Sequence, residues 1–313
     1  MKHVRQILRV LLSTYNGERF LREQLDSILN QSLCKNPEWS VELVIRDDGS
    51  SDSTRDILSE YEKKDGVTCI YGKNIGAIGS FFELIKDMSE GADYIALSDQ
   101  DDVWMEDKLE AAITALEQER TTVPLLYCGM CQITDEDLNP IETVFFTDNM
   151  KPAFGNALVE NICTGCTAVL NQSLAQLLRM GVPDFTVMHD WWIYIYGTCF
   201  GKVIYDSVPH MYYRQHGNNT VGVRKGYVSE FVARVKRFRG NRYNISRQIE
   251  AFQMLCKEHS LPVPEEHAEL MSMVLSAKKH MNARLKLMGS EKIYRQRRID
   301  NMIFKMIFLS GTM

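Results

Sequence analysis

Between Arg9 and residue 119 the chain repeats one pattern four times: a short apolar run, then a segment with helical spacing. The apolar runs are "RVLLST" (Arg9–Thr14), "VELVIRDDG", "VTCIYG" and "YIALS". Runs this short and continuous suit strands buried on both faces. After the first, Phe20, Leu21, Leu25, Ile28 and Leu29 recur at the spacing of one helix face. "SDSTRDILSEYEKK" begins with cap residues, "NIGAIGSFFELIKDM" turns through glycines into a helix, and "MEDKLEAAITALEQE" is a helix former throughout. Such alternation predicts an α/β domain with a mostly parallel sheet flanked by helices.

Ligands of such sheets bind at the carboxyl ends of the strands. The polar clusters fall at those ends: "STYNG", "RDDGSSD", "GKNIGAIG" and "SDQDD". Four segments distant in sequence would meet in one crevice. In "LSDQDDVW" three aspartates occupy four positions. If extended, Asp99 and Asp101 point the same way, and Asp102 faces elsewhere, as a cap for the next helix. A hard cation such as Mg²⁺ uses one or two carboxylates plus phosphate oxygens; a solvated turn is the plainer alternative. Asp47 and Asp48 form a second acidic pair that can bind a base or ribose, although Asp-Gly is also a turn pair. Asn16-Gly17 has the same ambiguity.

No apolar run approaches the roughly 18 residues of a membrane span, and the N-terminal apolar run is short and broken by arginine. The expectation is therefore a cytoplasmic protein. Eight cysteines in such a chain point to reduced thiols. Cys128/Cys131 and Cys163/Cys166 have CxxC spacing, readable as zinc ligands or as small buried residues. Charge is uneven. From Arg224 onward 18 Lys and Arg face 8 Asp and Glu, a net of +10; the preceding residues hold 18 against 33, a net of −15. The expected division is a catalytic region, 1–223, and a basic helical region, 224–313, with "SLPVPEEH" separating two of its helices.

"LLSTYNGERFLREQLDSILNQS", "VIRDDGSSDST", "KNIGAIGSF" and "ALSDQDDVWMEDKL", in this order, resemble family 2 glycosyltransferases of the GT-A fold. The form "SDQDDVW" is similar to the bacterial rhamnosyltransferase-like branch, and the likeness covers about residues 8–222. It implies a GT-A, Rossmann-like domain followed by a C-terminal helical extension. It implies a dTDP- or UDP-sugar donor, dTDP-rhamnose foremost, and a cell-wall or surface glycan as acceptor, which could be lipid-linked. By the same resemblance Thr14, Tyr15 and Asn16 lie against the nucleotide, Asp47 or Asp48 binds base or ribose, and Asn74 at the third strand end binds the nucleotide-sugar. Asp99 approaches the ribose, and Asp101 holds Mg²⁺ or Mn²⁺ on the diphosphate. "MHDWW" places Asp190 as the catalytic base, with His189 where the family has Glu. "YRQHGNN" makes His216 a third metal ligand and Arg214 a phosphate contact. Thr164 and Gly165 of "NICTGCT" are lesser candidates, and Trp191 or Trp192 could stack on a sugar.

A metal neutralises the departing diphosphate, one carboxylate takes the acceptor proton, and a single displacement inverts C1. A nucleotidyl- or phosphotransferase could use the same acidic crevice, and so could a non-catalytic nucleotide- or glycan-binding protein. In the tail, "FVARVKRFRGNRY" and "EKIYRQRRIDNMIFKMIFLS" mix Arg, Lys and large apolar residues at helical spacing. That suits peripheral contact with the inner membrane face, packing on the catalytic domain or a homo-oligomer, rather than nucleic acid.

Overall fold

The structure, a computed structural model, describes residues 5–119, 122–141, 150–216 and 244–309. The strands are β1 (Gln6–Thr14), β2 (Trp39–Asp47), β3 (Val67–Tyr71), β4 (Tyr94–Ser98), β5 (Val103–Trp104), β6 (Leu125–Gly129), β7 (Gln132–Thr134), β8 (Val169–Asn171), β9 (Lys202–Asp206) and β10 (Met211–Arg214). The first helices are α1 (Leu21–Leu29), α2 (Thr54–Tyr61), α3 (Gly76–Met88), α4 (Lys108–Glu117), α5 (Phe154–Ala157), α6 (Gln172–Arg179) and α7 (His189–Phe200). Four more follow: α8 over 244–258, α9 (Glu265–Ala277), α10 (Met281–Gly289) and α11 (Arg298–Leu309).

Seven strands form the main sheet in the order β3-β2-β1-β4-β8-β6-β9, and β5-β10-β7 form a small second sheet. The β3-β2-β1-β4 run is parallel, and only β8 is antiparallel to its neighbours β4 and β6. The four predicted strands and the helices between them are all present. Register brings their carboxyl ends level: Thr14 pairs with Asp47, Asp47 with Tyr71, and Ser98 with Leu12. That alignment, not any single loop, makes the crevice.

Alternation along the strands feeds two cores. Leu8, Val10 and Leu12 of β1 join Leu25, Ile57 and Leu109 on one face. Leu11 joins Phe81, Trp192 and Leu174 on the other. α7 is apolar nearly all round, as a helix buried on every side must be: Trp192, Tyr194 and Tyr196 are fully covered. The helices after residue 243 have no separate core. Phe252, Val274, Phe304 and Phe308 share the cluster built on α3 and α7. The expected break at "SLPVPEEH" separates α8 from α9, with Ser260 at φ 51°. Of the two basic amphipathic stretches, "FVARVKRFRGNRY" lies wholly outside the described residues.

Two expectations need correction. "LLYCGMCQIT" is not one strand; it divides at Met130 between β6 of the main sheet and β7 of the small one. Asp102 does not cap α4, whose N-cap residue is Asp107; its side chain is wholly buried.

The C-terminal helices are joined to the rest by close backbone approach. A Cβ on Gly155 of α5 would stand 1.9 Å from the Lys292 carbonyl oxygen. Gly155→Ala therefore forces the segment before α11 outward. The expected cost is about 1–3 kcal/mol, as for overpacking elsewhere. Thermal unfolding should show a melting temperature lower by a few degrees; an unchanged value would mean the contact is soft.

Candidate active site

β1 ends in Thr14, whose hydroxyl donates to Oε1 of Gln100 at 2.7 Å. The same oxygen accepts from the Tyr15 N–H at 2.8 Å, and the Gln100 amide returns a bond to the Tyr15 carbonyl at 3.2 Å. Gln100 thus clips the acidic loop to the end of β1 and fixes where Asp99 and Asp101 stand. Thr14 is buried, whereas the Tyr15 ring is 47% exposed beside it. Asn16 takes a positive φ of 48° and its side chain accepts from the Ser51 N–H, tying this turn to the loop after β2.

The Asp47/Asp48 pair is buried. Asp48 accepts from the Ile75 and Gly76 N–H groups at the start of α3, both at 2.9 Å, and pairs with buried Arg46 at 2.5 Å. It builds the crevice wall and is not open to a nucleotide in this structure. Asp47 accepts from the Ser50 N–H and from Arg55 at 2.7 Å. Arg55, half exposed, lies over the exposed Tyr71 ring. Asn74 is exposed at the third strand end, its backbone against Gly49.

Asp99 and Asp101 are close enough to repel. Burial, Asp101 and Asp190 together raise the Asp99 carboxyl to about 7. Asp101 meets His216 at 2.7 Å, Oδ2 to Nε2, and the His216 ring lies 5.0 Å from that of Phe20. One carboxylate and one imidazole side by side are a donor set that Mg²⁺ or Mn²⁺ accepts. The excess carboxylate charge at Asp99 is what a divalent ion would offset, so the residues fit such an ion. The rest of the motif, Gly217 to Asn219, lies outside the described residues.

Arg214 departs from its expected role. It is 2% exposed, and its guanidinium donates to the Asp101 carbonyl at 3.0 Å, to Glu23 at 2.5 Å and to the Glu136 carbonyl. It braces the backbone under Asp101 and does not present itself to a phosphate. Its own N–H donates to Asp102 at 3.3 Å, so Asp102 ties the acidic loop to β10 and hence to His216.

One layer deeper, ligand atoms of Asp99, Asp102 and Cys166 lie within 4.8 Å of one another. The buried Lys108 ammonium, 3.7 Å over the Trp104 ring, feels both Asp102 and Cys166 and supplies the positive charge there. Burial lowers Lys108 to about 8 and raises Asp102 well above the ordinary carboxylate range. The CxxC spacings do not act as chelates. Cys128 and Cys163, free thiols joined by a hydrogen bond, belong to one core, and Cys131 and Cys166 to the other.

Asp190 is the second residue of α7. Its carboxylate accepts from the Gly165 N–H at 3.1 Å and the Trp191 N–H at 2.6 Å, and from Asn161. A helix N-terminus and hydrogen bonds stabilise the anion. Burial outweighs them and raises the carboxyl to about 6. His189 is the first residue of α7. It stacks on Phe81 at 4.0 Å and abuts Gly165, where a Cβ would stand 2.9 Å from Nε2. Burial lowers it to about 3, so it is neutral at neutral pH. Thr164 N-caps the short 3₁₀ turn Gly165–Thr167. Trp192 is core, and Trp191 donates its indole N–H to the Ala157 carbonyl at 2.6 Å.

The sheet thus brings Tyr15, Asp47, Asp99, Asp101, His216 and Asp190 towards one crevice and spends Thr14, Asp48 and Arg214 on holding it. Parallel sheet, acidic loop and facing carboxylate define a GT-A-type transferase fold. The sequence profile of Glycosyl transferase family 2 matches residues 9–178, more than half of the chain. The protein belongs to that family and is a glycosyltransferase. dTDP-rhamnosyl transferase RfbG of Shigella flexneri is 28% identical over 238 residues, 70% of this chain and 76% of that one. The putative teichuronic acid biosynthesis glycosyltransferase TuaG of Bacillus subtilis is 36% identical over 112 residues, 35% of this chain and 42% of that one. Among solved structures, S. aureus TarS 1-349 in complex with UDP-GlcNAc superposes with a TM-score of 0.55 at 13% identity, covering 98% of this chain and 90% of that one. Mannosyltransferase PcManGT from Pyrobaculum calidifontis, in complex with GDP-Man and Mn²⁺, gives 0.50 at 15% identity, covering 99% and 86%. Among the described residues no helix is long and apolar enough to cross a membrane.

Proposed function

We propose that the protein is an inverting, Mg²⁺- or Mn²⁺-dependent glycosyltransferase that moves rhamnose from dTDP-rhamnose to a hydroxyl of a polysaccharide or cell-wall precursor. The observation that supports the reaction type is the placing of the Asp190 carboxylate at the start of α7, held by the Gly165 and Trp191 N–H groups and within electrostatic reach of Asp99 in the acidic loop. The acceptor hydroxyl attacks C1 and passes its proton to Asp190. The C1–O bond to the diphosphate breaks as the new one forms, and C1 inverts. Asp101 and His216 would hold the cation, which supplies neutralising charge for the leaving diphosphate. The exposed Tyr15 face would meet the nucleoside, with buried Asp47 acting through Arg55. The rhamnosyl donor is favoured by the likeness to RfbG, which spans most of both chains.

The test is a donor panel of dTDP-rhamnose, UDP-glucose and UDP-GlcNAc with Mn²⁺, reading liberated nucleoside diphosphate and thermal stabilisation. A ligand at about 100 times its Kd stabilises by about 2.7 kcal/mol. dTDP-rhamnose should give the largest shift and the fastest release of dTDP. A larger response to a UDP-sugar would reassign the donor, and pyrophosphate as product would overturn glycosyl transfer itself.

A further inference from the structure

α11 has two unlike faces. Ile303, Phe304 and Phe308 are buried in the core, while Ile299, Met302 and Met306 are each more than half exposed. The exposed three are spaced three and four residues apart and so form one stripe. On α10, Met281 and Leu285 are likewise more than half exposed, again four apart. Isolated exposed apolar residues need no explanation, but a row of them on adjoining helices does. Their surroundings are strongly basic. Residues 278–309 contain nine Lys and Arg against two acids, Glu291 and the buried Asp300. Lys279, Lys286 and Arg298 are exposed beside the apolar residues.

We propose that the α10–α11 face docks on an anionic lipid surface, with Ile299, Met302 and Met306 entering the headgroup boundary. A lipid surface satisfies both observations together, since apolar side chains enter the acyl boundary while Lys and Arg meet the headgroups. A second copy of this face would instead set the exposed Lys279, Lys286 and Arg298 against their own copies. The joint between α10 and α11 is tied to the catalytic side. Arg295 donates to the Val159 carbonyl at 2.6 Å and pairs with Glu160 at 3.1 Å, and the Gln296 N–H donates to Glu160 at 2.7 Å. Asn161, the next residue, bonds the base Asp190. The docked face is thus anchored beside the segment that bonds Asp190.

The experiment is vesicle flotation of the full chain. It compares phosphatidylcholine vesicles with an equal mixture of phosphatidylcholine and phosphatidylglycerol, at low and high salt. The chain should float with the mixed vesicles, release as salt rises and ignore phosphatidylcholine. The triple variant Ile299→Ser, Met302→Ser, Met306→Ser replaces exposed side chains only, and a melting curve verifies its fold. It should bind at least about a hundredfold more weakly, because three apolar side chains are withdrawn from the headgroup boundary at once. A second variant, Lys279→Gln, Lys286→Gln, Arg298→Gln, should lose the preference for phosphatidylglycerol. No binding to mixed vesicles, wild-type binding by the triple variant, or a triple variant that changes only self-association would each overturn the proposal. Flotation uses no donor or acceptor, so its failure leaves the transfer reaction untouched.

Discussion

Asp190→Asn lowers kcat about 10³-fold and leaves the donor KM within about twofold. The substitution keeps the size of the side chain and an oxygen to accept the Gly165 N–H, but removes the carboxylate lone pair that takes the acceptor proton. A loss confined to kcat marks a group needed in the transition state rather than for donor binding. The pH profile separates this from a folding defect. The base works deprotonated, and burial raises its carboxyl from the ordinary 3.8 to about 6. In the wild type kcat/KM should therefore be flat above pH 6 and fall about tenfold per unit below it. An unburied carboxylate would place that limb near pH 4. The limb should vanish in Asp190→Asn. Should it persist near pH 7 in the variant, it belongs to Asp99, which stands at about 7 through burial and its two acidic neighbours, and the base has been misassigned.

The crevice is legible in sequence because its cause is local and periodic. A parallel strand buried on both faces must be an apolar run, and the polar residues that end it must face solvent or ligand. "YIALS" followed by "DQDD" therefore announces both β4 and its functional end. The placement of Asp190 is legible for a related reason: "WWIYIYGTCF" has no polar face, so its helix must be buried, and the carboxylate before it stands at a helix start.

The tasks of individual polar side chains are not legible in this way, because they depend on partners far along the chain. Asp47 and Asp48 are chemically alike in sequence. They diverge because β2 sends one carboxylate to Arg55 and the other to the start of α3 and buried Arg46. Arg214 has the chemistry of a phosphate ligand, but Glu23 and the carbonyls of Asp101 and Glu136 claim its donors. Gln100 gave a faint signal: an amide between two aspartates carries both a donor and an acceptor, and can bridge to backbone where a carboxylate cannot. The split of "LLYCGMCQIT" is invisible for another reason. An apolar run without alternation specifies burial but not which sheet it joins.

The pairing of Asp101 with His216 carries the second large expectation. Asp101→Ala should lower kcat/KM about 10²–10³-fold, since charge neutralisation at a leaving phosphate is worth several kcal/mol. His216→Ala should cost less, because an imidazole contributes no negative charge, but both should raise the Mn²⁺ concentration needed for half-maximal activity. EDTA should abolish wild-type turnover and added Mn²⁺ restore it. Direct Mn²⁺ binding, read from loss of the free-ion EPR signal, should weaken in both variants while Asp190→Asn binds the ion like the wild type. That contrast matters because Asp101 also carries structure: its carbonyl accepts from Arg214 at 3.0 Å, and Arg214 is held in turn by Glu23. Removing the carboxylate leaves that carbonyl bond in place. A loss of Mn²⁺ affinity without a fall in melting temperature therefore reports the missing ligand. If instead both variants titrate Mn²⁺ as the wild type does, the 2.7 Å Asp101–His216 contact is a structural hydrogen bond, and the leaving diphosphate must find its positive charge elsewhere, with the half-exposed Arg55 beside Asp47 one cation to test.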